Sequence, residues 1–108
     1  MATTYKVLGQ SVPGATDTDL YTVPSATQTV VSTIVIANRD ALASTYRIAV
    51  RPGGALLSTE HYLAFDVTCP ARDTIALTLG ITLAASDVIT VYASSSDLSF
   101  SAFGSEIA

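Results

Sequence analysis

Apolar and polar residues alternate with a period of two along much of this chain, and the clearest case is Ser44 to Arg51. There Tyr46, Ile48 and Val50 are apolar at the even positions, while Thr45, Arg47 and Arg51 are polar at the odd ones. This is the pattern of a strand with one buried face, and it turns Arg47 and Arg51 outward. The preceding stretch, Thr29 to Ala37, is β-branched almost throughout and apolar on both faces, with Val30, Ile34 and Ile36 on one and Val31 and Val35 on the other. It predicts a strand whose second face is covered by something other than water. Between the two, Asn38 to Ala43 carries Asn and Asp, which bond nearby backbone and tolerate left-handed dihedrals, so it reads as a hairpin loop.

Six further strands follow from the same period. Thr3 to Leu8 alternates loosely and stops at Gly9; Asp19 to Val23 stops at Pro24, which has no amide hydrogen for a central ladder. Pro52-Gly53-Gly54 is the strongest breaker in the chain, and Ala55 to Glu60 after it reads as a loop or a helical turn. His61 to Phe65 is a short strand, followed by Cys69-Pro70. Asp73 to Leu79 sets Ile75, Leu77 and Leu79 against Thr74, Ala76 and Thr78; Asp87 to Ala93 is apolar on both faces; Asp97 to Phe103 sets Leu98, Phe100 and Ala102 against Ser99, Ser101 and Phe103. About eight short strands and no amphipathic helix predict an all-β fold. The expected architecture is a single antiparallel β-sandwich, immunoglobulin-like or jelly-roll-like, spanning residues 1–108.

Composition narrows the function classes. The 108 residues suffice for one core. Five Lys and Arg against nine Asp and Glu give a net charge of -4, and the four arginines are scattered, so no nucleic-acid partner is expected. Charged residues are only 13% of the chain, with Thr and Ser solvating the surface instead, a composition suited to subunits packed against neighbours. The single cysteine, Cys69, excludes an internal disulfide framework and a multi-cysteine metal site. The opening residues lack a charged leader followed by an apolar run, and no apolar run approaches ~18 residues, so neither export nor a membrane span is expected.

Candidate chemistry is sparse. His61 is the only histidine, and a nucleophilic arrangement would have to combine it with Asp66 or Glu60 and with Cys69. No glycine-rich elbow surrounds these residues, and they read as a surface histidine and a buried thiol. Asp17-x-Asp19 lacks the ligand run of a calcium loop and reads as a turn. Asp73, Asp87 and Asp97 each precede a strand and read as turn formers. Tyr46 and Arg47 point to opposite faces and so form no stacking platform for single-stranded nucleic acid. A carbohydrate-binding module, which would present aromatic platforms, is disfavoured by the absence of Trp. The residues imply no catalytic function, metal or cofactor.

Several segments carry a resemblance: Met1 to Gln10 (MATTYKVLGQ), Asp19 to Pro24 (DLYTVP), Val30 to Arg39 (VVSTIVIANR), and Asp73 to Leu83 with Asp87 to Tyr92. Together they resemble small structural proteins encoded in tailed-bacteriophage genomes. The resemblance implies a β-sandwich module that decorates the capsid as a cement subunit or builds collar, tail or fibre parts. It implies a virion location after assembly in the host bacterial cytoplasm, self-association, and major capsid or tail subunits as partners, with no membrane and no cofactor. The expected interface residues are Val31, Thr33 and Val35 on the two-sided strand and Arg47 and Arg51 on its neighbour.

Overall fold

A computed structural model describes residues 2–108. Nine strands form: β1 (Thr3–Ser11), β2 (Thr18–Thr22), β3 (Gln28–Asn38), β4 (Ser44–Arg51), β5 (Tyr62–Cys69), β6 (Thr74–Leu77), β7 (Ile81–Leu83), β8 (Val88–Ala93) and β9 (Leu98–Ile107). Two single 3-10 turns, Pro52–Gly54 and Thr59–His61, lie between β4 and β5, and no α-helix occurs among the described residues. The strands make two antiparallel sheets, one of five strands in the order β1-β9-β3-β6 with β7 also on β3, the other of four in the order β2-β8-β4-β5.

The pairings are nested: β4 with β5, β3 with β6 and β7, β2 with β8, and β1 with β9. The chain is thus one long hairpin rolled up about its middle, with β3–β9 and β4–β8 pairings closing the roll. Of the two sandwich topologies expected, this is the jelly roll, not the immunoglobulin arrangement. The ninth strand, β7, is the count's correction. It continues β6 along β3, the two separated by a break at Thr78 to Gly80, where Gly80 takes φ +64°. Leu79 falls in that break and is exposed, so it leaves the face that Ile75 and Leu77 share.

The core between the sheets is aliphatic with one aromatic pair. Ile34, Ile36, Ile48, Ile89, Leu98 and Phe100 are fully buried, and Tyr46 meets Phe100 edge to face at 6.2 Å. Cys69 closes β5 with its thiol buried, as a small apolar filler.

A bulge decides which residues of β3 reach that core. Val31 pairs with Gly104 and Thr33 with Phe103, leaving Ser32 extra. An extra residue inverts the alternation, so Thr29 and Val31 point inward before it and Ile34, Ile36 and Asn38 after it. The expectation that Val31 shares a face with Val35 is therefore corrected: Val31 is in the core, and Val30, Thr33 and Val35 face out. Glycine makes the bulge possible, because a Cβ on Gly104 would sit 1.9 Å from the Val30 carbonyl oxygen. A second bulge, at Leu8 of β1, faces the same level of β9, and there a Cβ on Gly9 would sit 2.1 Å from the Leu20 oxygen of β2.

Asn38 ends β3 as a buried polar hub. Its Nδ2 donates to the carbonyl oxygens of Leu42 at 3.0 Å and of Cys69 and Pro70 at 3.2 Å, while its Oδ1 accepts from Asp40 N at 2.9 Å. One side chain thereby joins the β3–β4 loop to the β5–β6 loop. The aspartates behave as turn formers: Asp73 Oδ1 accepts from Thr74 N, and the Asp87 carboxylate accepts from Gly53 N and Ala84 N.

Two substitutions test this account by urea denaturation. Gly104→Ala should lower the unfolding free energy by about 3 kcal/mol, since only backbone movement relieves the clash, whereas Ser105→Ala should leave it within about 0.5 kcal/mol. Asn38→Asp, which turns a carboxylate toward three carbonyl oxygens, should cost about 3 kcal/mol at neutral pH.

Candidate interaction surface

The outer face of the five-stranded sheet follows from its registers. In β9, Leu98, Phe100 and Ala102 point into the core, so Ser99, Ser101, Phe103 and Ser105 point away from it. They stand beside Ala37, Val35, Thr33 and Val30 of β3, and on the other side Gln10, Val7 and Tyr5 of β1 flank the last three. Ala76 and Thr74 of β6 and Thr82 of β7 extend the face past β3. None of these side chains is charged, although the chain carries fourteen charged residues, five basic and nine acidic. Tyr5 is 84% exposed, Val7 48% and Val30 36%. Beside the projecting Tyr5 lies a depression lined also by Lys6, Val30, Ser32, Phe103, Gly104 and Ser105. Two further depressions, bounded by Gln28, Ala84 and Ile107, lie at the end of the same face, and Asp87 also lines one of them.

The outer face of the four-stranded sheet is built differently. Arg47 lies between the rings of Phe65 and Tyr92, its guanidinium carbon 4.2 and 4.3 Å from their centroids, and its Nε donates to Asp66 Oδ1 at 2.6 Å. Tyr62 meets Phe65 edge to face at 4.9 Å. Arg51 spans the sheet: it donates to Asp19 Oδ1 at 2.9 Å, to Thr90 Oγ1 at 2.9 Å, and to the Gly54 and Ala55 carbonyl oxygens. These bonds fasten the β4–β5 connection over the sheet, which buries Ala49, Val88 and Thr90 although they face away from the core.

The expected interface residues therefore separate. Thr33 and Val35 are half-buried on the uncharged face, Val31 is in the core, and Arg47 and Arg51 lie on the opposite side of the sandwich, each already paired within the chain. Tyr5, Val7, Val30 and Phe103 complete the uncharged face without having been expected there. Their one signal was Phe103, an aromatic residue on the Ser99–Ser101 face of its strand.

The residues weighed for catalysis are not brought together. His61 precedes β5 and its Nδ1 accepts from Ser58 N at 3.0 Å; Asp66 is held by Arg47; Cys69 is buried at the far end of the strand, roughly 25 Å along it from His61. Burial pushes the Cys69 thiol up, away from thiolate reactivity. Among the described residues no group of three or more His, Cys, Asp or Glu could hold a metal ion, and no helix is long and apolar enough to cross a membrane.

At one end of the sandwich a polar chain bridges the sheets. Tyr21 Oη of β2 donates to Glu106 Oε2 at 2.5 Å, Lys6 Nζ donates to Glu106 Oε1 at 3.2 Å, and Thr29 lies 2.8 Å from the phenol oxygen. With the phenol hydrogen committed to Glu106, the Thr29 hydroxyl is the donor in that last bond. Burial, and then the hydrogen bond to Glu106, push the Tyr21 pKa from 10 up to about 12. The bond from Tyr21, helped by Lys6, holds the Glu106 carboxyl below its ordinary range.

No family model matches this chain, and no curated protein matches it. Among solved structures it is similar to "Structure of infectious bursal disease virus Gx strain", with a TM-score of 0.49 and 14% sequence identity, covering 97% of this chain and 30% of that one. The chain thus spans under a third of the viral chain's length.

The Tyr21 pair has opposite consequences at the two ends of the pH scale. Tyr21 favours the fold fully below pH 10 and loses that contribution as pH rises toward about 12; Glu106 contributes above the ordinary carboxylate range and loses it as pH falls through its lowered value. Wild type should exceed Tyr21→Phe by about 1–2 kcal/mol at neutral pH, and denaturation at stepped pH should show that advantage shrinking between pH 10 and 12.

Proposed function

We propose that this protein is a non-enzymatic structural subunit of a bacteriophage virion, a capsid decoration or cement protein that self-associates and binds major capsid subunits to stabilise the head. The observation that carries this reading is the absence of charge from every outward register position of one sheet face. A sheet face solvated for its own sake carries Lys and Glu at its outward positions, whereas this one carries Tyr, Val, Phe, Ala, Thr, Ser and Gln. Such a face gains free energy on being covered, about 25 cal/mol for each Å2 of apolar surface before the costs of association. The resemblance of the strand segments to tailed-phage structural proteins supplies the setting, and the low charge of the whole chain agrees with it. A subunit of this kind acts by holding its neighbours and needs no reactive group.

A collar, tail or fibre component would use the same face, and location separates the two. A carbohydrate-binding role would want free ring faces, and the most prominent aromatics of the four-stranded sheet, Phe65 and Tyr92, stack on Arg47 instead.

The test is co-sedimentation of the purified protein with separated phage heads and tails, with heads then challenged by heat. Retention on heads, with a higher temperature of disruption, is the expected result. Retention on tails alone would replace the cement role by the collar or fibre role, and binding to neither would overturn the virion reading.

A further inference from the structure

We infer that the occupant of the uncharged face is a second copy of this chain, packed face to face across a two-fold axis. This deepens the self-association in the reading above and rests on that part of it alone. Three observations favour a copy over an unlike partner.

The first is charge. Each copy carries -4, so two copies repel through most of their surface. In a two-fold contact a charge near the axis meets its own duplicate, so a face that pairs with itself is best kept free of both signs. The outer face of the β1-β9-β3-β6 sheet meets that condition at every outward position given by its registers. A face built for an unlike partner has no need of it, since complementary charges would add register and rate.

The second is shape. Tyr5 projects from β1, and directly beside it lies the depression bounded by Val30, Ser32, Phe103 and Ser105. A projection and a recess side by side on one face are self-complementary under two-fold rotation, because each Tyr5 then enters the recess of the other copy. Lys6, which also lines the recess, has its ammonium 3.2 Å from Glu106, so it brings a paired charge to the rim.

The third is size. Four strands about 4.8 Å apart and some 30 Å long present roughly 570 Å2 per copy, about 1,100 Å2 for a pair, which clears the ~1,000 Å2 that a specific interface needs. The two facing sheets would pack about 10 Å apart with strands near-aligned, as sheets do within a sandwich.

Light scattering on the purified protein over a range of concentrations tests this directly. Wild type should have twice the chain mass of 11.2 kDa. Thr33→Arg, which plants a charge at the centre of the face, should yield single copies. Tyr5→Ala, which removes the projection, should raise the dimer dissociation constant at least about 10-fold, while Leu56→Ala, an exposed side chain of the β4–β5 connection, should leave it unchanged. Circular dichroism confirms that each variant is folded, as expected for substitutions at exposed or half-buried positions. A single-copy mass for wild type at about 100 μM, above the dissociation constants usual for specific complexes, would overturn the inference. So would any other oligomer, or a dimer indifferent to Thr33→Arg. Heads are absent from this experiment, so its failure leaves the co-sedimentation result standing, and the reverse holds equally.

Discussion

The extra residue at Ser32 is the constraint on which the rest of the molecule depends. A strand has only two faces, and one inserted residue exchanges them. On β3 that exchange sends Val31 inward together with Ile34 and Ile36, and leaves Val30, Thr33 and Val35 on the outside. Without it, an inward Val31 would place Thr33 and Val35 in the core and turn Ile34 and Ile36 to the surface. The bulge is tolerable only because position 104 has no side chain, so Gly104 and Ser32 act as one feature on two adjacent strands. The second bulge, at Leu8, faces the same level of β9, so the central strand of this sheet is flanked by irregularities on both sides.

Around that sheet the roll is held by polar groups placed where the sheets could otherwise splay. Asn38 ties two loops at one place, and the Lys6–Glu106–Tyr21–Thr29 chain ties four strands at another. Among the described residues no buried side-chain nitrogen or oxygen lacks a partner. A buried polar group stabilises a fold only when it is fully satisfied. These groups are, so they can fix one nested pairing of strands over the alternatives that an apolar core alone would permit.

The sequence made the strands legible and left their irregularities hidden. Period-two alternation placed β4 and β9 because each keeps its parity against the core, and Tyr46, Ile48 and Phe100 are buried as that alternation requires. It failed on β3, where both faces are apolar and a parity switch leaves no trace in the pattern. Gly9 and Gly104 were the available signs, but a glycine in a strand says that something comes close and not what comes close. β7, three residues long, carries too few positions for a period. The candidate face was half legible: Thr33 and Val35 were expected at an interface, while Tyr5 and Val7 came from a first strand whose alternation is weak. Arg47 and Arg51 were rightly read as outward, but outward residues can still be spent within the chain, and pairing partners nineteen and thirty-two residues away follow only from the roll.

The two outer faces of the sandwich differ in a way that bears on assembly. On the four-stranded sheet each arginine has an internal carboxylate, the rings of Phe65 and Tyr92 lie against a guanidinium, and a strap of chain covers Ala49, Val88 and Thr90. That face has satisfied itself. On the outer face of the five-stranded sheet no strap of chain lies over the strands, no outward register position is charged, and Lys6 at the rim is paired with Glu106, so Tyr5, Val7 and Val30 remain against water. Isolated exposed apolar residues are ordinary on protein surfaces, but Tyr5, Val7 and Val30 cluster around Phe103 and Ser105 on a face whose other outward positions are Val35 and otherwise Ser, Thr, Ala and Gln. An apolar patch with no charge among its outward neighbours invites association. The asymmetry is cheapest to maintain in a protein that keeps one side for its own architecture and gives the other to a neighbour.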